Sequence, residues 1–318
     1  MDRIVFLNSA RLDFDNRLDF SPLIETGAFT KFDESSNEEI LQRVKNQDII
    51  ITKELPIGKD LIEQFPPSVK LICEAGTGYN NIDIAAAASK GITVCNVPGY
   101  STEAVAQLAI TFMLNLASSM IKQQNMIKQN NFNNFTKCLQ VPHFELQDKT
   151  LGVIGTGAIG QHVIKIARVL GMNILVYNRS VKSFSDPHIQ QVALEELLKC
   201  SDFVSIHCPL TPHTKHLLNK DSFNLMKSSA FIINTSRGPI IKETDLIEAL
   251  QNGIIAGAAL DVQDPEPPEL TNPLFSMDNV ILTPHIGWKC LESRQRLIHL
   301  LTSNIKSFTQ GNPINVVG

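Results

Sequence analysis

The chain has 318 residues, past the roughly 250 to 300 at which a single hydrophobic core stops growing, so two domains are expected. Hydrophobic residues make up 43% and charged residues 19%, a profile that excludes disordered and fibrous classes and fits an ordinary soluble globular protein. A net charge of −4 offers no broad basic surface for nucleic acid or anionic lipid, which leaves small-molecule chemistry as the expected role.

In chain order, short β-rich runs begin at Arg3 (RIVFLN), Asp48 (DIIIT), Lys70 (KLICEAG) and Ile92 (ITVCNV), and alternate with helical patterns such as EEILQRVKN and NIDIAAAASK. Such alternation predicts a parallel sheet with helices on both faces. Pro98 and Gly99 break the chain, Ser101 or Thr102 can cap a helix, and Ala104, Leu108, Phe112 and Leu116 are expected to stripe its buried face. The run from Ala104 to Ile121 is the most apolar in the chain, but its interspersed Gln, Thr, Asn and Ser residues mark a buried helix and no membrane span. Residues 121–148, with the Asn-rich NNFNNF, read as a long connection or arm whose Phe132 and Phe135 should pack against something.

From Thr150 the alternation resumes through TLGVIG, NILVYN, DFVSIHC, AFIINTS, IAGAALDV and VILTP, a complete second α/β unit, and a final helix is predicted from Leu291 to Gln310. Six scattered cysteines without a CxxC pair, and no secretory leader ahead of them, predict reduced thiols in a cytoplasmic protein, with Cys73 and Cys95 as small buried hydrophobes.

Gly155, Gly157 and Gly160 follow the apolar strand LGVI and open a helix, so amides near Ala158 and Ile159 can face a pyrophosphate at the positive helix end. The next strand ends at Tyr177. There an acidic residue would accept hydrogen bonds from the adenosine ribose hydroxyls, whereas this chain has Asn178, Arg179 and Ser180. A neutral amide, a guanidinium and a hydroxyl suit a 2′-phosphate, so NADP(H) is the preferred cofactor and NAD(H) the alternative. Arg237 in INTSRG, Glu266 in DVQDPEPP and His285 in LTPHIGW fall at the carboxyl ends of strand-like runs, where open α/β sheets keep their ligands. His207, His213 and His216 lack the spacing of a zinc site, and no metal is expected.

The stretches AGTGYNNID, NVPGYSTEAVAQ, TLGVIGTGAIG, HCPLTPHT, INTSRG, ALDVQDPEPP and TPHIGW, in that order, resemble the D-isomer-specific 2-hydroxyacid dehydrogenase family along nearly the whole chain. NVPGYSTEAVAQ, PHFELQDKTLGVIG and Trp288 are most similar to its glycerate dehydrogenase, or hydroxypyruvate and glyoxylate reductase, branch. The chain departs from the family at Asn80, at Lys289 and Cys290, and at Asn178 and Arg179.

The resemblance implies two Rossmann-like, doubly wound parallel-sheet domains. One is a flavodoxin-like substrate domain of residues 1–99 and 288–318, the other an NAD(P)-binding domain of residues 100–287, with the active site in a cleft that closes over substrate. It also implies His285 as proton donor to a carbonyl, Glu266 favouring the imidazolium, and Arg237 holding the carboxylate and polarising the carbonyl. Backbone amides of Thr77 and Gly78 would take the carboxylate too, with Trp288 in the pocket wall. Further cofactor contacts carried over are Thr102, Pro209, Thr214, Thr235 and Asp261.

The expected partners are a small 2-keto or 2-hydroxy acid and a second copy of the chain, joined through the helix after Ser101 and the arm. The implied reaction is reduction of hydroxypyruvate or glyoxylate. The alternatives are a pyruvate or branched-chain 2-keto acid reductase and a non-catalytic, NAD(H)-sensing corepressor-like protein.

Overall fold

The computed structural model describes residues 1–318, and the chain forms two units, Met1–Ser101 with Trp288–Gly318, and Thr102–Gly287. The first unit runs two residues beyond the expected 99 because Tyr100, 4% exposed, belongs to its core.

In the first unit β1 (Arg3–Phe6), β2 (Ala28–Lys31), β3 (Ile49–Thr52), β4 (Leu71–Glu74) and β5 (Thr93–Cys95) form one parallel sheet in the order β2-β1-β3-β4-β5, the flavodoxin-like arrangement. Alternation within each strand splits the core. Ile4, Phe6, Ile49 and Ile51 pack with Leu297, Ile298, Leu301 and Ile305 of α12 (Leu291–Thr309), while Val5, Leu7 and Ile50 face Ile40 of α2 (Asn37–Arg43), Ile62 of α3 (Lys59–Ile62) and Ala87 of α4 (Ile84–Ser89). Arg294 of α12, 2% exposed, ties that helix to the chain's start by donating to Leu12 O at 2.9 Å and to Asp15 Oδ2 at 2.6 Å.

The second unit holds β6 (Thr150–Ile154), β7 (Asn173–Tyr177), β8 (Ile189–Gln191), β9 (Phe203–Ile206), β10 (Phe231–Asn234), β11 (Gly257–Leu260) and β12 (Val280–Leu282), all parallel, in the order β12-β11-β10-β9-β6-β7-β8. Counted from β6 this is the Rossmann order 3-2-1-4-5-6 with a seventh strand added. One face is covered by α5 (Thr102–Ser118) and α8 (Ala158–Val169), the other by α9 (Leu194–Cys200), α10 (Lys220–Leu225) and α11 (Glu243–Gln251).

The expected stripe on α5 is half right. Phe112 and Leu116 are buried, but Ala104 and Leu108 are only half-buried, because the contact face is two ridges wide and centres on Val105, Ala106, Ala109, Ile110, Met113 and Ala117. The arm expected at 121–148 is irregular over most of its length but contains two short helices. Ser119, at φ +49°, turns the chain into α6 (Met120–Lys128), and α7 (Asn133–Thr136) follows. Phe132 and Phe135 are 48% and 74% exposed, so neither packs within the chain. No single helix is long and apolar enough to cross a membrane. Cys73 and Cys95 are buried register partners on β4 and β5, and burial holds both thiols above their usual pKa, Cys95 at about 11.

Candidate active site

Apart from Thr102, the first residue of α5, every candidate residue of the second unit stands at or beyond the carboxyl edge of its sheet. β6 delivers the glycine turn, β7 delivers Asn178, and β10, β11 and β12 deliver Arg237, Glu266 and His285. Because β10, β11 and β12 are neighbours, three distant sequence segments arrive side by side.

Two glycines of the turn are dictated by packing. Gly155 adopts φ +93° and its amide donates to Tyr177 O at 2.9 Å, while a Cβ on Gly160 would stand 2.2 Å from Gly155 O. Gly157 differs, since a Cβ there would meet nothing within 4 Å. It is the N-cap of α8 and makes no side-chain cap bond, so the first amides of that helix face open space. The buried Asn178 Nδ2 and Thr235 Oγ1 also lack hydrogen-bond partners. Free helix amides, open space over Gly157 and two unpaired polar atoms fit a dinucleotide with its pyrophosphate on the helix end.

Asn178 is oriented from behind. Its Oδ1 accepts from Thr156 N at 2.8 Å and Thr156 Oγ1 at 3.0 Å, which leaves the amino end unpaired. Arg179 and Ser180 are exposed beside it. Lys182 was not anticipated from sequence, yet its Nζ donates to Thr156 O at 2.9 Å and brings a second cation to the turn. The signal was present as the spacing Arg179-x-x-Lys182. His207 closes the turn from below. Its Nε2 meets Ser205 Oγ at 2.8 Å, and burial pushes its pKa down to about 4, so the ring is neutral. Thr214 uses its hydroxyl to hold its own loop, donating to Pro209 O at 2.7 Å.

His285 Nδ1 and Glu266 Oε2 are 2.9 Å apart, and the other oxygen of Glu266 accepts from Gln263 N at 3.0 Å. His285 sits at φ +51°, a conformation few non-glycine residues adopt. Asp261 enforces it. This buried carboxylate accepts from Thr283 Oγ1 at 2.6 Å, Ile286 N at 2.8 Å and Gly287 N at 2.8 Å, clamping the turn on both sides of the histidine. Burial raises its pKa against the lowering effect of those bonds. Asp261, expected as a cofactor contact, also holds the His285 turn through these three bonds.

Arg237 is half-buried, with Nη1 donating to Ser236 O at 2.8 Å and its own carbonyl accepting from Asn234 Nδ2 at 2.9 Å. The next residue, Gly238, lies so close to the Glu266 loop that a Cβ would stand 1.9 Å from Gln263 O. The arginine turn and the glutamate loop are thus packed backbone to backbone. A cavity of about 310 Å³, walled by Pro267, Pro268, Phe275, Leu282 and Pro284, opens beside His285 and Glu266.

In the first unit Thr77 is exposed and Gly78 half-buried, and neither amide makes a backbone hydrogen bond. The loop is held by its other atoms, with Thr77 O accepting from Asn96 Nδ2 at 2.7 Å and Gly76 O from Val97 N at 2.8 Å. Trp288 is 6% exposed, its Nε1 is unpartnered, and Lys53 Nζ lies 3.9 Å from its ring centroid. Neither Lys53 nor Glu74 was singled out from sequence, although each puts a charge at the end of an apolar strand run. Burial raises the Glu74 pKa to about 7. Burial alone would lower that of Lys53, but the fields of Tyr100, Glu54 and Glu74 outweigh it and hold the ammonium above its usual value.

A Rossmann sheet order, an open glycine turn and a histidine–carboxylate pair on the same edge define a dinucleotide-dependent oxidoreductase. Comparison with known proteins narrows the class. Residues 110–287 match the model of the D-isomer specific 2-hydroxyacid dehydrogenase NAD binding domain. A hydroxypyruvate reductase from Blautia hydrogenotrophica is 37% identical over 94% of this chain and 95% of its own length. A glyoxylate reductase from Thermococcus litoralis is 38% identical over 87% of this chain and 86% of its own. Among solved structures, an acyclic imino acid reductase in complex with NADPH and D-Arg superposes with a TM-score of 0.90 at 30% identity, covering 99% of this chain and 100% of that one. The chain belongs to the D-isomer specific 2-hydroxyacid dehydrogenase family.

Proposed function

We propose that the protein is a hydroxypyruvate and glyoxylate reductase, forming D-glycerate or glycolate with NADPH preferred over NADH. The 2.9 Å pair of His285 and Glu266 carries the reading. Bound nicotinamide supplies the hydride. As the new C–H bond forms at the carbonyl carbon, His285 gives its Nε2 proton to the carbonyl oxygen, and Glu266 at Nδ1 stabilises the charged ring that donates it. Arg237 holds the substrate carboxylate as a planar fork and draws electron density from the carbonyl. In the first unit the free amides of Thr77 and Gly78 suit a carboxylate as well.

The NADPH preference is supported by the direction in which Asn178 is held. With Oδ1 engaged by Thr156, the residue offers a donor where an acidic side chain would offer only acceptors, and Arg179 and Lys182 add charge for a 2′-phosphate. A homodimer is supported by the exposed apolar side chains of Met120, Ile121, Phe132, Phe135 and Leu139, between 41% and 74% exposed.

The test is a steady-state panel of glyoxylate, hydroxypyruvate, pyruvate and 4-methyl-2-oxopentanoate with both reduced cofactors. Expected are higher kcat/KM for the first two acids and a preference for NADPH of about tenfold or more, worth about 1.4 kcal/mol. His285→Ala should lower kcat by roughly 10²- to 10⁴-fold with NADPH still bound by calorimetry. Preference for NADH, or unchanged kcat in His285→Ala, would overturn the corresponding part.

A further inference from the structure

The first unit buries a charged pair that the reaction as derived leaves unused. Lys53 follows β3 directly and Glu74 ends β4, whose residues pair in register as Thr52 with Glu74, so two neighbouring strands carry an ammonium and a carboxyl to the same edge. Lys53 is 1% exposed and Glu74 is 0% exposed. Ions buried this deeply are costly to keep, and methionine would fill the lysine's space without that cost.

The surroundings of the pair point to its use. The ammonium meets Glu54 Oε1 at 2.5 Å and the Trp288 ring centroid at 3.9 Å. Glu74 Oε1 accepts from Glu54 N, and its Oε2 from Asn81 Nδ2, both at 2.9 Å. Directly over the two heads runs the loop AGTGYN. A Cβ on Gly76 would stand 3.4 Å from Lys53 Nζ and 3.3 Å from Glu74 Oε1, so the loop backbone is seated on the pair one residue before Thr77. No helix end serves this loop, because α4 begins only at Ile84 and its cap, Asp83, already accepts from Ala86 N.

We infer that Lys53 is a positioning residue of the substrate end: its ammonium, paired with Glu54, fixes the Trp288 ring by its face and, with Glu74, forms the seat on which the loop rests at Gly76, just before the Thr77 and Gly78 amides. One side chain then sets both elements of this unit that meet the acid. The inference rests on the reading of Thr77 and Gly78 as carboxylate-binding.

Trp288 is the chain's only tryptophan, so its emission reports on this pair directly. The experiment compares wild type, Lys53→Met and Lys53→Arg as NADPH-saturated enzyme. Lys53→Met should raise KM for glyoxylate by about tenfold or more, leave kcat within about threefold and leave NADPH affinity unchanged by calorimetry, with Lys53→Arg restoring part of the loss. Tryptophan emission of the ligand-free protein should also change in Lys53→Met, because the cation leaves the ring.

An active Lys53→Met enzyme with wild-type KM and emission would overturn the inference while the reductase reading stands. If wild type reduces no 2-keto acid, the reductase reading fails and titration with oxamate, followed by Trp288 emission, decides: binding about tenfold weaker in Lys53→Met supports the inference, and equal binding overturns it. Should Lys53→Met fail to fold by circular dichroism, Lys53→Arg carries the test. A KM increase of a few fold then supports the inference, and an unchanged KM overturns it.

Discussion

Two loops of this molecule follow a buried parallel strand and turn bare backbone amides outward, yet they are supported by different means. The turn after β6 runs straight into the 12-residue α8, whose uncapped first turn is itself the positive end of a helix dipole. The loop after β4 wanders for nine residues before the 6-residue α4 starts, with Asp83 capping it, and is backed by a buried lysine. A helix end suits a large, doubly charged pyrophosphate and needs glycine so that strand, turn and helix can close up. In the second loop the buried lysine and glutamate form the seat of the turn, and the same ammonium lies on the face of a tryptophan.

Substitutions should separate the two designs. Gly160→Ala forces a Cβ against the Gly155 carbonyl, 2.2 Å away and part of the backbone, so NADPH affinity should fall by about a hundredfold or more by calorimetry, with stability lowered by roughly 1–3 kcal/mol. Gly157→Ala meets no protein atom and should leave the Tm unchanged, while its methyl group obstructs the amides and weakens NADPH binding about tenfold. Equal Tm losses in the two variants would break the account of the turn. Gly76→Ala presses only on the ends of two side chains, so KM for the keto acid should rise by about a few fold with NADPH affinity intact.

Smallest is the effect of Glu74→Gln, seen in the pH dependence of thermal stability. The folded carboxyl titrates near 7 and the unfolded one near its ordinary value, so between them the native state holds the extra proton. Its stabilising contribution is complete at low pH and is lost as pH rises through 7. Glu74→Gln should flatten that part of the Tm profile between pH 5 and 7, and an unchanged slope would remove Glu74 as its source.

Much of this was legible in the sequence, and what was not has a common cause. Central strands such as IIIT and LICE are buried on both faces and read as apolar runs, whereas the edge strands AFTK and IQQ carry little apolar signal and went unpredicted. The glycine turn, Arg237, Glu266 and His285 could be singled out because they sit in local motifs with fixed spacing. Lys53, Glu74 and Lys182 carry no such motif, and their contacts with the Trp288 ring, with Asn81 and with Thr156 O appear only in the fold. Asp261 was singled out, but its bonds to the amides of Ile286 and Gly287 appear only in the fold.

The anchoring of α12 by Arg294 also bears on how the protein is made. The sheet that begins at Arg3 buries one face against Leu297, Leu301 and Ile305, which the ribosome adds after the whole of Thr102–Gly287. During synthesis the second unit can therefore finish its core first, while the first hundred residues wait, one side of their sheet uncovered, for the helix that completes them.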